Sequence, residues 1–357
     1  MSYTRRPIHI IHLSYNVPRP RYSDPEAWLD RVAHTRGVAE KLLLYGPQTV
    51  IYNIDYKGEI KRNGVDYIFS GGNWFGLKFP FAFNRRVRRL NPDIVLCHGL
   101  IFPWQIIVLR MIVGPSVKII CQHHAERPFR DLRRYLARWA DRSIAGYLFA
   151  SKTQGEEWVA AAQIASLQKV HEVMGTSSIF RADLSRKKQD QYLWIGDLDE
   201  NKDPMTVVKA FVAFSNNHPH VQLNMIFQND RFLPELKAIA NKNIHFVGPL
   251  VHSSLQEYFN RATYVISTSH YEGSGIAVCE ALSCGCFPIL TDIPSFRMMT
   301  DNGKIGRLFA AGNHLALAEA LEETKNISGS GKVIAHFEAA LSFEANARKI
   351  INIINSL

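Results

Sequence analysis

Two glutamates, a lysine and a short run of glycines carry the chemistry that this chain can do. Between Ser269 and Thr291 the sequence reads SHYEGSGIAVCEALSCGCFPILT. An apolar run ends, a loop with Glu272, Gly273, Ser274 and Gly275 follows, and a helical pattern begins near Ile276 and carries Glu280. The first amides of a helix lack intrahelical partners and bear partial positive charge, so a diphosphate can rest on them. Glycines at 273 and 275 let the backbone approach such a ligand closely. Glu280, about a turn into the helix, would face the same side and could accept both hydroxyls of a ribose, while Glu272 could hold a sugar hydroxyl. The plainer reading is that Glu280 favours a helix start and the glycines make a turn. The stretch taken alone leaves both open.

These residues need strand ends and helix starts to position them. Short apolar runs alternate with longer amphipathic stretches almost throughout, the pattern of strand and helix units around a parallel sheet. In the first half the expected strands are Ile8–Leu13, Gln48–Asn53, Tyr67–Phe69, Ile94–Cys97, Val117–Gln122 and Gly146–Ala150, with helices such as Pro25–Tyr45 and Arg130–Arg142 between them. In the second half Tyr192–Ile195, Gln222–Phe227, Ile244–Val247, Tyr264–Thr268 and Phe287–Thr291 read as strands. Pro204–Phe214, Leu233–Ala240, Ser254–Asn260, Ala277–Ser283 and His314–Thr324 read as helices. The charged, aperiodic segment 181–191 reads as a linker. The expected fold class is α/β, with two Rossmann-like, doubly wound domains at 1–180 and 192–340, facing each other across a cleft at their strand carboxyl ends. A last helix falls within 341–357.

The stretch 269–291 resembles the Glu, seven residues, Glu motif of the family 4 glycosyltransferases with the GT-B fold, including the Glu-Ala-Leu-Ser-Cys-Gly run and the strand holding Pro288. Further matches follow in order. Ile195-Gly196 through Lys202-Asp203-Pro204 is similar to the segment that opens that family's second domain, where a glycine precedes a phosphate-binding lysine by six residues. Phe246-Val247-Gly248 resembles a strand end beside the base, Asn302-Gly303 and Gly306 a later glycine loop, and Ser342-Phe343-Glu344 the last helix, which crosses back to the first domain. In the first half, Asp93 to Gly99 and Ile119 to His124 resemble two strand ends that deliver histidines into the cleft.

The resemblance implies a metal-independent, retaining transferase without a covalent enzyme intermediate, acting on a glycan or lipid-linked acceptor in surface polysaccharide biosynthesis. It implies no tightly bound cofactor, and a nucleotide-diphosphate sugar, UDP- or GDP-linked, as donor. His123, Glu272 and Lys202 would be catalytic. Gly196, Lys202, Val247, Gly248, Glu272, Gly273, Ser274, Gly275, Ile276 and Glu280 would bind the donor, with Lys202 neutralising the departing diphosphate. His98, His124 and Glu126 would lie on the acceptor side, Glu126 orienting His123.

Four departures point to an atypical bacterial branch or to a member with impaired donor binding. Asp197 stands where the family usually has arginine after the glycine. Ser14-Tyr15-Asn16-Val17-Pro18 replaces a glycine-rich turn, Met174-Gly175-Thr176-Ser177-Ser178 replaces an Asn-Gly pair, and Phe227-Gln228-Asn229-Asp230 ends a strand that usually ends in glycines. Asp197-Leu198-Asp199 has the look of a metal-binding pair, but it precedes Lys202 at the first strand of the second domain, and no metal is expected. The two glutamates could also be the acid and base of a glycoside hydrolase, although the glycines and the upstream lysine suit a phosphate better.

Composition narrows the setting. Of the 357 residues, 46% are hydrophobic and 21% charged, ordinary for a soluble globular chain. Ile8–Leu13 reads as a strand rather than part of a signal peptide, and no segment reaches the ~20 apolar residues of a membrane span. Five cysteines without framework spacing suit a reducing cytosol. Residues 1–180 hold 25 Lys and Arg against 14 Asp and Glu, and the rest is nearly neutral. Two arginine-dense stretches, Phe83–Leu90 and Arg130–Arg142, carry apolar residues at helical spacing. In the second, Leu132, Tyr135, Leu136 and Trp139 form one face, and Arg130, Arg134, Arg138 and Arg142 another. Such faces are either solvated exteriors or attract anionic surfaces. Their confinement to the acceptor half points to a phosphorylated or lipid-linked acceptor at the inner membrane face. Nucleic acid is a poor partner, since no recognisable module is present. An epimerase of the same architecture and a non-catalytic binding protein stay open beside the transferase.

Overall fold

The computed structural model describes residues 7–185, 188–327 and 330–357. Met1–Arg6, and Arg186 and Lys187 of the expected linker, lie outside them. The chain divides into two compact units, one made of the residues up to Thr176 together with Phe343–Leu357, the other of Ser177–Ser342. The first unit ends at Thr176 rather than 180, because the next residues bond into the second: Ser177 donates to the Leu341 carbonyl (2.7 Å), and Ser283 donates to the Ser178 hydroxyl (2.8 Å).

The first unit runs β1 (Ile10–Leu13), α1 (Pro25–Arg31), α2 (Ala33–Leu42), β2 (Gln48–Tyr52), β3 (Lys57–Arg62), β4 (Val65–Ser70), α3 (Trp74–Lys78), α4 (Phe81–Arg89), β5 (Ile94–His98), α5 (Pro103–Val113), β6 (Lys118–Gln122), α6 (Arg133–Asp141), β7 (Gly146–Phe149), α7 (Lys152–Ala160) and β8 (Val170–Glu172). Its sheet has the order β3-β4-β2-β1-β5-β6-β7-β8, parallel except for β3. Alternate residues of each strand feed two cores: Ile11, Val95, Cys97 and Ile119 on one side, and Ile10, Ile94, Leu96 and Ile120 on the other. The sequence pattern missed β3 although its turn, Asn63-Gly64 with φ of 51° and 86°, is a hairpin signal. The expected helix 25–45 is broken at Val32, whose ψ of 19° leaves the helical range.

The second unit runs β9 (Gln189–Ile195), α8 (Pro204–Asn217), β10 (Gln222–Ile226), α9 (Leu233–Ile239), β11 (Ile244–Gly248), α10 (Leu255–Arg261), β12 (Ala262–Ser267), α11 (Ile276–Ser283), β13 (Phe287–Thr291), α12 (Pro294–Met299), β14 (Arg307–Phe309), α13 (His314–Thr324) and α14 (Ser330–Ala340). Its sheet is all parallel, in the order β11-β10-β9-β12-β13-β14. β9 starts at Gln189, inside the segment expected as linker. The strand order reverses between β1 and β5 in one unit and between β9 and β12 in the other, which opens a crevice at the carboxyl ends of those strands.

The last helix, α15 (Phe343–Ser356), belongs to the first unit and packs on α2. Gly37 makes the contact: a Cβ there would come within 2.6 Å of the Phe343 ring. Phe343 joins Ile10, Val38, Leu42 and Ile350 in one core. Truncating a buried aromatic costs about 3–5 kcal/mol. Phe343→Ala should therefore speed hydrogen exchange of the α2 amides by that free energy, with exchange in β9 to β12 unchanged. Equal acceleration in both units would show that α15 is not a part of the first alone.

Candidate functional site

The loops after β9 and β12 are bound to each other. Trp194 on β9 donates its indole N–H to the Thr268 hydroxyl (3.0 Å), and that hydroxyl donates to the Lys202 carbonyl (2.6 Å). His270 donates its amide to the Asn201 carbonyl (2.8 Å), and the Asn201 side chain donates to the Tyr271 carbonyl (3.1 Å). Across this seam the Lys202 ammonium pairs with the Glu272 carboxylate. Asp199 accepts from the Lys202 amide (2.8 Å), and Asp203, at φ 45°, caps α8 by accepting from Thr206. Asp199 is thus spent inside the loop while Asp197 stands exposed, which leaves the two without a shared face. Gly196 is where Lys202 folds over the strand end: a Cβ would lie 3.2 Å from Lys202 Cδ.

On the other side of the seam α11 begins at Gly275, whose φ of 52° makes it the helix N-cap. No side chain caps this end and no acid occupies the first turn, so the amides following Gly275 are open to an anion. Gly273 is buried and Ser274 half-buried in the approach, and Ile276 is exposed. Glu280, one turn on, is 2% exposed, and its Oε1 lies 2.6 Å from His252 Nε2. His252 sits just after β11 on a short turn, His252–Ser254, with its ring stacked on Phe180 at 4.8 Å. The hydrogen bond to Glu280 raises the affinity of this imidazole for its proton above the ordinary value. Val247 and Gly248 end β11, and Gly248 turns the chain with φ 83° and open space beside it. The second unit therefore brings Gly196, Lys202, Glu272 and the start of α11 to its strand-order reversal, with Glu280 and His252 beside them.

In the first unit His98 ends β5, and His123 and His124 follow β6. His98 Nδ1 and His124 Nε2 are 3.0 Å apart, one ring donating to the other. Burial pushes His98 well below the usual histidine range and lowers His123 and His124 as well, so all three are neutral near pH 7. His123 is 1% exposed and stacked against Phe149. Its Nε2 faces the Glu126 carbonyl at 2.8 Å; a carbonyl only accepts, so the proton is on Nε2 and Nδ1 is a bare acceptor, without a partner among the described residues. The Glu126 carboxylate accepts instead from the amides of His124 (2.6 Å) and Leu100 (3.1 Å), which fastens the β5 and β6 loops together. Glu126 thus holds His123 through its backbone carbonyl, with one carboxylate oxygen 3.8 Å from the same nitrogen. Sequence reasoning missed His12, which stacks on His98 and is pushed down to about 4 by burial, and it missed His252 and Phe180. No motif marks them, and only the fold places them there. Among the described residues no three His, Cys, Asp or Glu side chains are grouped to hold a metal.

The family model described as "Glycosyl transferases group 1" matches residues 176–354, half of the chain. A curated relative, the GDP-mannose:cellobiosyl-diphosphopolyprenol alpha-mannosyltransferase of Xanthomonas campestris, is 24% identical over 242 residues, 64% of this chain and 63% of the relative. The chain thus spans under two thirds of the length of that relative. A glycosyltransferase structure from Rickettsia africae superposes with a TM-score of 0.74 at 14% identity, covering 99% of each chain. The Anabaena HepE structure in complex with UDP superposes with a TM-score of 0.72 at 13% identity, covering 98% of this chain and all of the other. At such identities the likeness shows the fold, two Rossmann-like α/β units of the GT-B type. On the family match, this chain belongs to the glycosyl transferases group 1.

Proposed function

We propose that this protein transfers a sugar, with retention and without a metal, from a nucleoside-diphosphate sugar bound by its second unit to a lipid-linked acceptor, in the synthesis of a surface polysaccharide. The observation that carries the reading is the junction of the Lys202–Glu272 pair with the uncapped start of α11 at the strand-order reversal, one turn before the buried Glu280. In this reading the α11 amides and Lys202 hold the diphosphate and stabilise the charge that grows on it as the glycosidic bond breaks. Glu272 fixes Lys202 before the donor arrives and then holds a sugar hydroxyl. Glu280 accepts the ribose hydroxyls, and Val247 and Gly248 border the base. On the acceptor side, His98, His124 and the bare Nδ1 of His123 offer neutral polar atoms to the acceptor. The Xanthomonas relative is named for GDP-mannose and a diphosphopolyprenol acceptor, which makes GDP-mannose the first donor to try; the HepE complex makes UDP-sugars the second.

A ligand that binds only the folded state stabilises it by about 2.7 kcal/mol at a hundredfold excess over its Kd. One of GDP, UDP or their sugars should raise the melting temperature, and Glu280→Ala should remove that shift while keeping a native circular dichroism spectrum. Lys202→Ala should lower turnover by about 10²–10³-fold, as for loss of one group that stabilises developing charge. Absence of a shift with every nucleotide would overturn the proposal.

His252 adds a pH dependence. Its raised affinity for the proton makes the pair with Glu280 complete below the ordinary histidine value of about 6.5, and the pair is lost as pH rises through the raised folded value. Ribose hydroxyls compete with His252 for Glu280, so nucleotide affinity should rise with pH across that window. His252→Ala should flatten the rise when both proteins are titrated calorimetrically between pH 5.5 and 8.5. Titration of the nucleotide itself is common to both and cancels; parallel profiles would exclude the competition.

A further inference from the structure

We infer that the first unit docks on an anionic lipid surface through one continuous face built from α3, the start of α5, and α6. This goes deeper into the lipid-linked acceptor proposed above, and rests on it only for its purpose.

Most of the apolar stripe of α6 is turned away from the core. Leu132, Tyr135 and Trp139 recur at three- and four-residue spacing, which normally marks a buried face. Here the helix buries Ala137 and Ala140 in the core with Leu136 packed partly against it, while Leu132 is 80%, Tyr135 51% and Trp139 52% exposed. The small alanines let α6 sit close on α5, and Leu132, Tyr135 and Trp139 are left outside. The expectation of one apolar and one basic face thus holds for spacing and not for burial.

α3 repeats the arrangement. Trp74 and Phe75 are 59% and 64% exposed, and Phe79 follows with its ring 5.2 Å from that of Phe75. Lys78 lies over both the Trp74 and Phe79 rings, at 5.4 and 6.0 Å. α3 is anchored by Leu77, whose side chain is buried and whose carbonyl accepts from Gln105 on α5 (3.3 Å). Ile101, just before α5, is exposed as well. α3, the start of α5 and the start of α6 follow the carboxyl ends of β4, β5 and β6, the edge where His98 and His124 stand.

Arginines frame the apolar side chains. Arg130, Arg133, Arg134 and Arg138 are exposed around Leu132 and Tyr135; Arg134 lies over the Tyr135 ring at 4.8 Å, and Arg133 over the Phe129 ring at 4.8 Å. Asp131, bonded to Arg133, is the one acid of that segment before Asp141, which is buried. Aromatic rings with cations beside them fit the interface of a bilayer, where the rings enter the headgroup level and the charges meet anionic lipid. The excess of positive charge in residues 1–180 fits the same surface and not a second copy of this chain, whose matching face would repel it. Docked so, the protein would hold its histidine edge at the depth where a lipid-linked head group emerges.

The test is sedimentation of the full chain with vesicles, either of phosphatidylcholine alone or of phosphatidylcholine with phosphatidylglycerol. Binding is expected to the anionic vesicles, weakened by salt. Each basic residue near such a surface adds about 1 kcal/mol, close to fivefold in partition. Arg130→Gln, Arg134→Gln and Arg138→Gln together should therefore lower binding on the order of a hundredfold. Trp74→Ala with Phe75→Ala, and separately Leu132→Ala with Trp139→Ala, should each lower it at constant charge. All these side chains are exposed, so the melting temperature and any nucleotide-induced shift should stay as in the parent; that shift reports on the donor reading separately. Partition unchanged in the variants, no binding to anionic vesicles, or a concentration-dependent dimer that the aromatic variants abolish would each overturn the docking face.

Discussion

One hydroxyl ties the second unit's chemistry to its sheet. Thr268, fully buried, accepts from Trp194 on one central strand and donates to the carbonyl of Lys202 in the loop that follows it, while itself belonging to the next strand's loop. β9 and β12 are neighbours in the sheet but far apart in the chain. The proposed diphosphate site would need the cation from one loop and the helix start from the other, held at a fixed separation. Together with the two bonds of Asn201, the Thr268 bond fixes the loop of eight residues that carries Lys202, and the pair with Glu272 limits the rotamer freedom of the lysine side chain. With the loop so held, the Lys202–Glu272 pair and the uncapped start of α11 keep one arrangement, as the proposed stabilisation of a leaving diphosphate would require.

The first unit solves a related problem with uncharged groups. Glu126 spends its carboxylate on two backbone amides from two loops, and so locks the ends of β5 and β6 together. Burial keeps the histidines neutral, and the one hydrogen bond of His123 decides which ring nitrogen is bare. The two units use the same fold logic, a strand-order reversal with loops fastened across it, but one fastening delivers charge and the other delivers polar atoms without charge.

Much of this was legible in the sequence, and the failures are specific. Phe287–Thr291 and His314–Thr324 were read to the residue, because each is bounded by its own local signals. Glu272, Gly275 and Glu280 were legible as one strand, loop and helix, whereas Gly196 and Lys202 joined them only through the resemblance, because their meeting depends on β9 and β12 being sheet neighbours, which no local pattern encodes. His252 was invisible, because its pairing with Glu280 depends on where the loop after β11 returns, and no local pattern encodes that return. Thr268 read as the last residue of a strand rather than as a tie. The face of α6 was read as to spacing and could not be read as to direction, because periodicity says which residues share a face and is silent on which face meets the core; two small alanines decided it.

The assignment of α15 to the first unit has a consequence for biosynthesis. The second unit is continuous in sequence and can fold once its own residues have left the ribosome, whereas the first is interrupted by it. Gly37, Val38 and Leu42 wait for Phe343 and Ile350. At ~5–20 residues per second the nascent chain carries that apolar strip uncovered for roughly 15–60 s. The first unit therefore cannot close its core until the whole of the second has been made, and its strip stays open to wrong partners for that interval.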